Sequence, residues 1–445
     1  MFFLSLQRWL FCLVGLSFFL LQAMTAQAAT LQLNEKTNKI SLNSHFQIFE
    51  DKSGTLDLSQ VSAPQHQQQF ADLRGTLNAG YTHSAFWLKL DLQRLSDTTK
   101  RDWLLEMTPA MLDDIRLYQT DSSGQIQIQR AGDHLAFNQQ VVRHHYPLFQ
   151  IHLDDTQAHT LYIRIQSSSA LFFRATLFDQ KSFSEDSNYL SGMLSIYYGM
   201  MLAMIIYNCL LMIGDRDLSM RHYLLLSIST LIAGMSVNGH VGLYIAPDWP
   251  WLVDILPAVM PQMIVLSSSM FMCSFLKLKS TLPRAYIVFR SIQVGALLLL
   301  IAIVVGYQPQ VAGIAQFLGL IQICLYGPVS LMVAVRGYAP GYIVMLASGI
   351  WMSGTALIPL RNLGLLESTW VTDFGFQIGS AIDVILLALA QAYRIRLIQK
   401  ESHMTQQQLL RISQQAESEL DAKVKRRTAE LDQLIQRLEK SDKEK

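Results

Sequence analysis

Val294-Gly-Ala-Leu-Leu-Leu-Leu-Ile-Ala-Ile-Val-Val305 runs for twelve residues without a charged or amide side chain. It lies in the fourth of seven apolar segments, at 189–213, 222–244, 252–276, 285–305, 311–335, 341–360 and 373–393. Each is close to the ~20 residues that a helix rising ~1.5 Å per residue needs to cross a hydrocarbon core. Short connections join them: 214–221, 245–251, 277–284, 306–310, 336–340 and 361–372. Soluble proteins also contain apolar helices, but not seven this long, this free of charge and this tightly joined. The pattern predicts an all-α transmembrane bundle in a lipid bilayer.

Charges in the connections orient the bundle. The first, third and fifth carry Arg216 and Arg221, then Lys277, Lys279 and Arg284, then Arg336. The second and fourth carry no Lys or Arg, and the sixth carries only Arg361. The positive-inside rule places the first group and the C-terminus in the cytoplasm, with Trp249, Trp251, Tyr307 and Trp370 as outer anchors.

Residues 1–28 read as a secretory leader: Arg8, an apolar run from Leu10 to Leu21, and Ala26-Gln27-Ala28 as the cleavage site. An uncleaved helix would leave the next segment on the same side. That segment, 29–188, is expected in the periplasm, and all four cysteines (Cys12, Cys209, Cys273 and Cys324) fall outside it. Without disulfides it must be held by its own core. Its pattern is β. Phe86, Leu88, Leu90 and Leu92 alternate with Trp87, Lys89 and Asp91. Similar short runs start at Trp103, Ile115, Phe149, Leu161 and Leu171, and Ile126 and Ile128 follow an Asp121–Gly124 turn. Short strands without helical runs between them predict a sandwich or jelly roll.

Phe49-Glu-Asp-Lys-Ser-Gly54-Thr-Leu56, Gly80-Tyr-Thr-His-Ser-Ala-Phe-Trp-Leu88 and Trp103-Leu-Leu-Glu106 resemble the extracytoplasmic sensor domain of a bacterial receptor family. That family is the seven-transmembrane receptors with diverse intracellular signalling modules. Tyr198-Gly199, Tyr207-Asn208 and Arg221-His-Tyr223 are similar to its seven-helix domain. The resemblance spans about 40–393. It implies a signal receptor of the bacterial inner membrane whose sensor is similar to carbohydrate-binding modules. A cytoplasmic kinase, diguanylate cyclase or phosphatase would take the output.

Residues 394–445 are charged and helix-forming, with Leu420, Val424, Leu431, Leu434 and Leu438 at heptad-like spacing. They read as a cytoplasmic coiled coil pairing two receptors, or as a solvated single helix. The tail holds no phosphoryl or cyclase chemistry, so an output domain is expected beyond Lys445 or on a separate kinase, cyclase or response partner. His403 lacks the neighbours of a phospho-accepting histidine.

No phosphate loop, zinc-type cysteine pair or nucleophile elbow is present. A non-enzyme without cofactor is expected; a transporter or membrane enzyme with an accessory domain is the rival. The net charge of +1 gives no bulk argument for nucleic acid. Trp87, Lys89 and Asp91 share one strand face and would suit stacking on a carbohydrate-like or other planar small molecule, or Trp87 packs in a second layer. His45, His66, His83, His134, His144, His145, His152 and His159 match no compact metal motif and read as scattered surface groups, so no metal is expected. Asp383 stands mid-way along the seventh segment, with Gln322 at matching depth. Arg290 and Asn208 could meet nearer the cytoplasm. Each is a polar switch or a structural contact.

Overall fold

The computed structural model describes residues 30–443, apart from 74, 121–124, 215–216, 363–364 and 367–368. The leader read at 1–28 and the turn at 121–124 lie outside the described residues.

Two sheets form an N-terminal sandwich. One contains β1 (Leu31–Leu33), β3 (Gln47–Asp51), β4 (Ala71–Asp72), β6 (Ala85–Arg94), β8 (Asp114–Thr120), β9 (Ile126–Ala131) and β11 (Ala158–Gln166). Its order is β4-β3-β6-β11-β8-β9, with β1 parallel to β6. The second contains β2 (Lys39–Ser41), β5 (Leu77–Gly80), β7 (Asp102–Thr108), β10 (Leu148–His152) and β12 (Leu171–Asp179). Its order is β10-β7-β12-β2, and β5 also pairs with β12. Strand alternation explains the core. Leu88 faces Ile163 and Leu90 faces Leu161 across β6 and β11, while Leu105 faces Leu177 across β7 and β12. All six are at most 1% exposed. Burying each such side chain contributes ~1.5–3 kcal/mol, which supplies the cohesion expected of a sandwich without disulfides. The edge strand β9 departs from the pattern and turns Ile126 and Ile128 outward.

Seven long helices follow: α1 (Gln180–Gly214), α2 (Leu218–Val237), α3 (Pro250–Phe275), α4 (Pro283–Ala302), α5 (Gln308–Val335), α6 (Pro340–Thr355) and α7 (Trp370–Lys443). Among the described residues five helical runs are long and apolar enough to cross a membrane, and one of them, Pro283–Val335, holds both α4 and α5. Gly306, at φ 102°, breaks that run. The 20-residue α2 is not among them. Leu298, Ile301, Phe317 and Leu346 point outward, an apolar surface for lipid. Helices α6 and α7 cross at glycines: a Cβ on Gly354 would stand 2.1 Å from the Gly375 carbonyl oxygen.

Asp179 ends β12 and Gln180 begins α1, so the sandwich enters the bundle without a linker. Asp179 serves as the joint, accepting from Ser182 N at 2.8 Å and pairing with Lys100 at 2.7 Å. Residues Leu386–Lys445 form a separate unit. There Leu420, Val424, Leu431 and Leu434 are all more than half exposed. The side chain of Leu438 lies outside the described residues.

Candidate functional site

Trp87 points away from the main core, as the alternation requires, but it is 0% exposed. Its ring stacks on Tyr118 at 5.5 Å, and Val61 on a short helix, Leu58–Val61, packs in the same cluster. The motif before that helix explains the cover. Asp51 accepts from the backbone of Ser53, Gly54 and Leu56 at 3.0 Å each, which turns the chain over the sheet. Lys89 donates to Gln67 at 3.1 Å, and Asp91 accepts from Thr160 at 2.5 Å. The expected stacking platform is therefore corrected: Trp87 packs in a second layer with its Nε1 unpartnered among the described residues, Lys89 and Asp91 are bonded to Gln67 and Thr160, and the indole offers no face to a ligand.

The membrane polar residues separate in the same way. Arg290 donates to Gln293 at 2.9 Å, while Asn208 donates to Met204 O on its own helix at 2.7 Å. They do not meet. Asp383 is buried, and its Oδ1 has no hydrogen-bond partner among the described residues. Gln322 donates to Ser268 Oγ on α3 at 2.7 Å.

Gln322 also lines a cavity of about 180 Å³ between α2, α3, α5, α6 and the start of α7. Tyr81, Met111, Ser169 and Ala170 of the sandwich close it on one side. Among the described residues, five buried polar atoms on lining residues lack partners: the acceptors Gln262 Oε1 and Gln322 Oε1, the donors Trp351 Nε1 and Arg361 Nε, and the Tyr326 hydroxyl, which can do either. Buried polar groups are normally satisfied, and leaving one unpaired costs ~1–3 kcal/mol. Mostly apolar, with a few unpartnered donors and acceptors on its lining residues, the cavity has the composition common to small-molecule sites.

Contacts around the sixth connection tie the site to the sandwich. Asp373, near the start of α7, accepts from Arg361 at 2.7 Å and pairs through its other oxygen with Arg174 on β12. The Arg361 guanidinium lies 4.2 Å from the centre of the Phe172 ring, and Asn78 donates to the Arg361 carbonyl at 2.8 Å. Between α2 and α3, Phe137 N donates to Pro247 O at 2.8 Å, and His145 stacks on His240 at 4.9 Å. Gly239 is required there: its φ is 74°, and a Cβ would stand 1.9 Å from His145 O. The second and sixth connections are thus the ones that touch the sandwich.

The histidines are not all scattered over the surface. His145 is 3% exposed, and burial pushes its pKa down to about 2; burial takes His144 to about 4. Burial likewise pushes the neighbouring Glu106 up to about 7. A second cluster joins Asp113, Asp133 and His134 of the sandwich to Asp254 of α3. Burial, then Asp113 and Asp254, push the Asp133 carboxyl well above its usual range, and the contact with Asp254 lifts His134 to about 9. Spacing could not have revealed this group, since its members come from three separate stretches of chain.

A β-sandwich seated directly on a polytopic helical bundle, with a long terminal helix, is the architecture of a membrane receptor. Two family models match the chain: 7TMR-DISM extracellular 2 over residues 43–179, and 7TM diverse intracellular signalling over residues 190–394. The chain belongs to the seven-transmembrane receptors with diverse intracellular signalling modules, a multi-pass membrane protein with an extracellular sensor domain. No curated protein matches it. Among solved structures it is similar to TmCBM61 in complex with β-1,4-galactotriose, at 13% identity over 31% of this chain and 90% of that one. The TM-score is 0.19, a likeness too slight to bear on fold or ligand.

Proposed function

We propose that this receptor senses an uncharged, hydroxyl-rich small molecule, carbohydrate-like in its chemistry, from the periplasmic side of the bacterial inner membrane. The ligand would occupy the cavity between sandwich and bundle. The observation that carries this is the set of two unpartnered acceptors, two unpartnered donors and the Tyr326 hydroxyl, among the described residues, on a mostly apolar wall that sandwich residues help to line. Such a lining suits hydroxyls that both donate and accept, and its aromatic and apolar remainder suits a ring face. Occupancy would bias how the sandwich sits on α6 and α7, because Arg361 both lines the cavity and holds Asp373. The seventh helix would then re-pack a dimeric coiled coil through Leu420, Val424, Leu431, Leu434 and Leu438. A kinase, cyclase or response partner would read that change.

The test uses the full chain in nanodiscs and a panel of mono- and oligosaccharides, read by thermal shift and by cross-linking of Val424→Cys between subunits. One sugar should raise Tm saturably and change cross-linking, and Gln322→Leu should weaken its binding at least tenfold. Binding that ignores Gln322→Leu and Trp351→Phe places the ligand elsewhere. Solute uptake by vesicles holding the purified chain would favour a transporter instead.

A further inference from the structure

We propose that Asp113, Asp133, His134 and Asp254 bind one divalent ion of the Mn2+–Zn2+ class, which fastens the sandwich to the head of α3.

The backbone brings the first three together. Asp133 N donates to Leu112 O at 2.9 Å and His134 N donates to Asp113 O at 3.2 Å, so the residues just after β9 lie against those leading into β8. Asp254 reaches the same point from the start of α3. One donor atom from each of the four lies within 4.8 Å of the others. His134 Nε2 stands 3.5 Å from Asp113 Oδ2 and 3.6 Å from Asp254 Oδ2. Those separations are close to the ~3.4 Å edge of a tetrahedron with ~2.1 Å metal–ligand bonds.

Proximity of acids alone would not make a site; the second observation is a missing partner. Asp113 has its own donors, Ser167 Oγ and Ser168 N, each at 2.7 Å, which fix its orientation. Asp133 is 5% exposed, yet among the described residues its Oδ1 accepts no hydrogen bond, and neither does Asp254 Oδ1. A buried carboxyl oxygen without a donor is costly unless the acid is protonated or the oxygen coordinates a cation. The donor set also selects the ion. Calcium and magnesium take oxygen ligands almost exclusively, whereas imidazole beside carboxylates suits first-row transition ions and zinc. His134, with half of its side chain exposed, leaves an entry path from solvent.

The experiment uses the full chain in nanodiscs, stripped of metal and titrated separately with MnCl2, ZnCl2, CaCl2 and MgCl2. Calorimetry and thermal unfolding give the readouts. Mn2+ or Zn2+ should bind at one per chain and raise Tm. Asp133→Asn and Asp254→Asn should each weaken binding at least tenfold and abolish the Tm rise. Asp254→Asn lies outside the sandwich and keeps the test valid where Asp133→Asn fails to fold. Unchanged affinity in Asp254→Asn would place the ion elsewhere, for instance at His152 between Asp102 and Asp154. A Tm response to Ca2+ alone, or to none of the four ions, would also overturn the proposal.

Discussion

Arg174 on β12 and Arg361 just beyond α6 bind opposite oxygens of one carboxylate, Asp373. The two arginines are unequal: the Arg361 side chain is 5% exposed and the Arg174 side chain 33%. Removing the partner of a buried charge costs ~3–5 kcal/mol, whereas an ion pair open to solvent gives ~1 kcal/mol or less. Asp373→Ala should therefore destabilise the fold by ~3 kcal/mol and Arg174→Ala by ~1 kcal/mol or less. Thermal unfolding in nanodiscs orders the two. Equal effects would mean that Arg361 is not the main partner.

Trp87→Ala leaves a large void beside Tyr118 and Val61. The expected cost is ~3–5 kcal/mol, seen as early loss of β-sheet signal on heating. A variant that keeps wild-type Tm but loses a ligand would restore the indole to a binding face.

Acid should loosen the dock at His145. The folded pKa values of His145 and His144 lie below the unfolded value near ~6.5, so the unfolded chain binds more protons. Their contribution is complete above about pH 6.5 and is lost as pH falls below it, at up to ~1.4 kcal/mol per pH unit for each ring. Glu106 opposes them: with its pKa raised, its contribution is lost as pH rises towards 7. Two rings against one carboxyl leave the net slope positive. His145→Phe keeps a ring to stack on His240 and should flatten the fall in Tm between pH 7 and 5. An unchanged fall would assign the acid sensitivity to other groups.

Cysteines placed in 246–251 should react with an impermeant thiol reagent from the periplasmic side, and cysteines in 277–284 should not. The reverse labelling would invert the orientation.

In the tail, inserting one or two residues near Gln399 should rotate the proposed seam and disturb signalling, while inserting seven should largely restore it. Equal tolerance of every length would reduce the tail to a tether.

The strands and long helices were legible because their periods are local. Leu88–Leu90–Leu92 announces a strand facing a core, and Val294–Val305 announces a membrane-spanning helix, whatever else surrounds them. What covers a strand's other face is not local. The alternation put Trp87 opposite Leu88 correctly, yet the short helix that buries it depends on how Asp51 turns the chain. Depth matching paired Arg290 with Asn208, but depth says nothing about the side of a helix on which a residue stands. The cavity and the Asp113–Asp254 cluster were out of reach for the same reason: each exists only where sandwich and bundle meet.

The junction of β12 with α1 has a mechanical meaning. Asp179 closes the strand and Gln180 opens the helix, and Lys100 and Ser182 grip the turning point from both sides. No slack hinge lies between the outer domain and the first membrane helix. In the proposed receptor a small tilt of the sheet would be delivered to α1 as torque at its N-terminal end, with the sandwich acting as a rigid handle on the shaft.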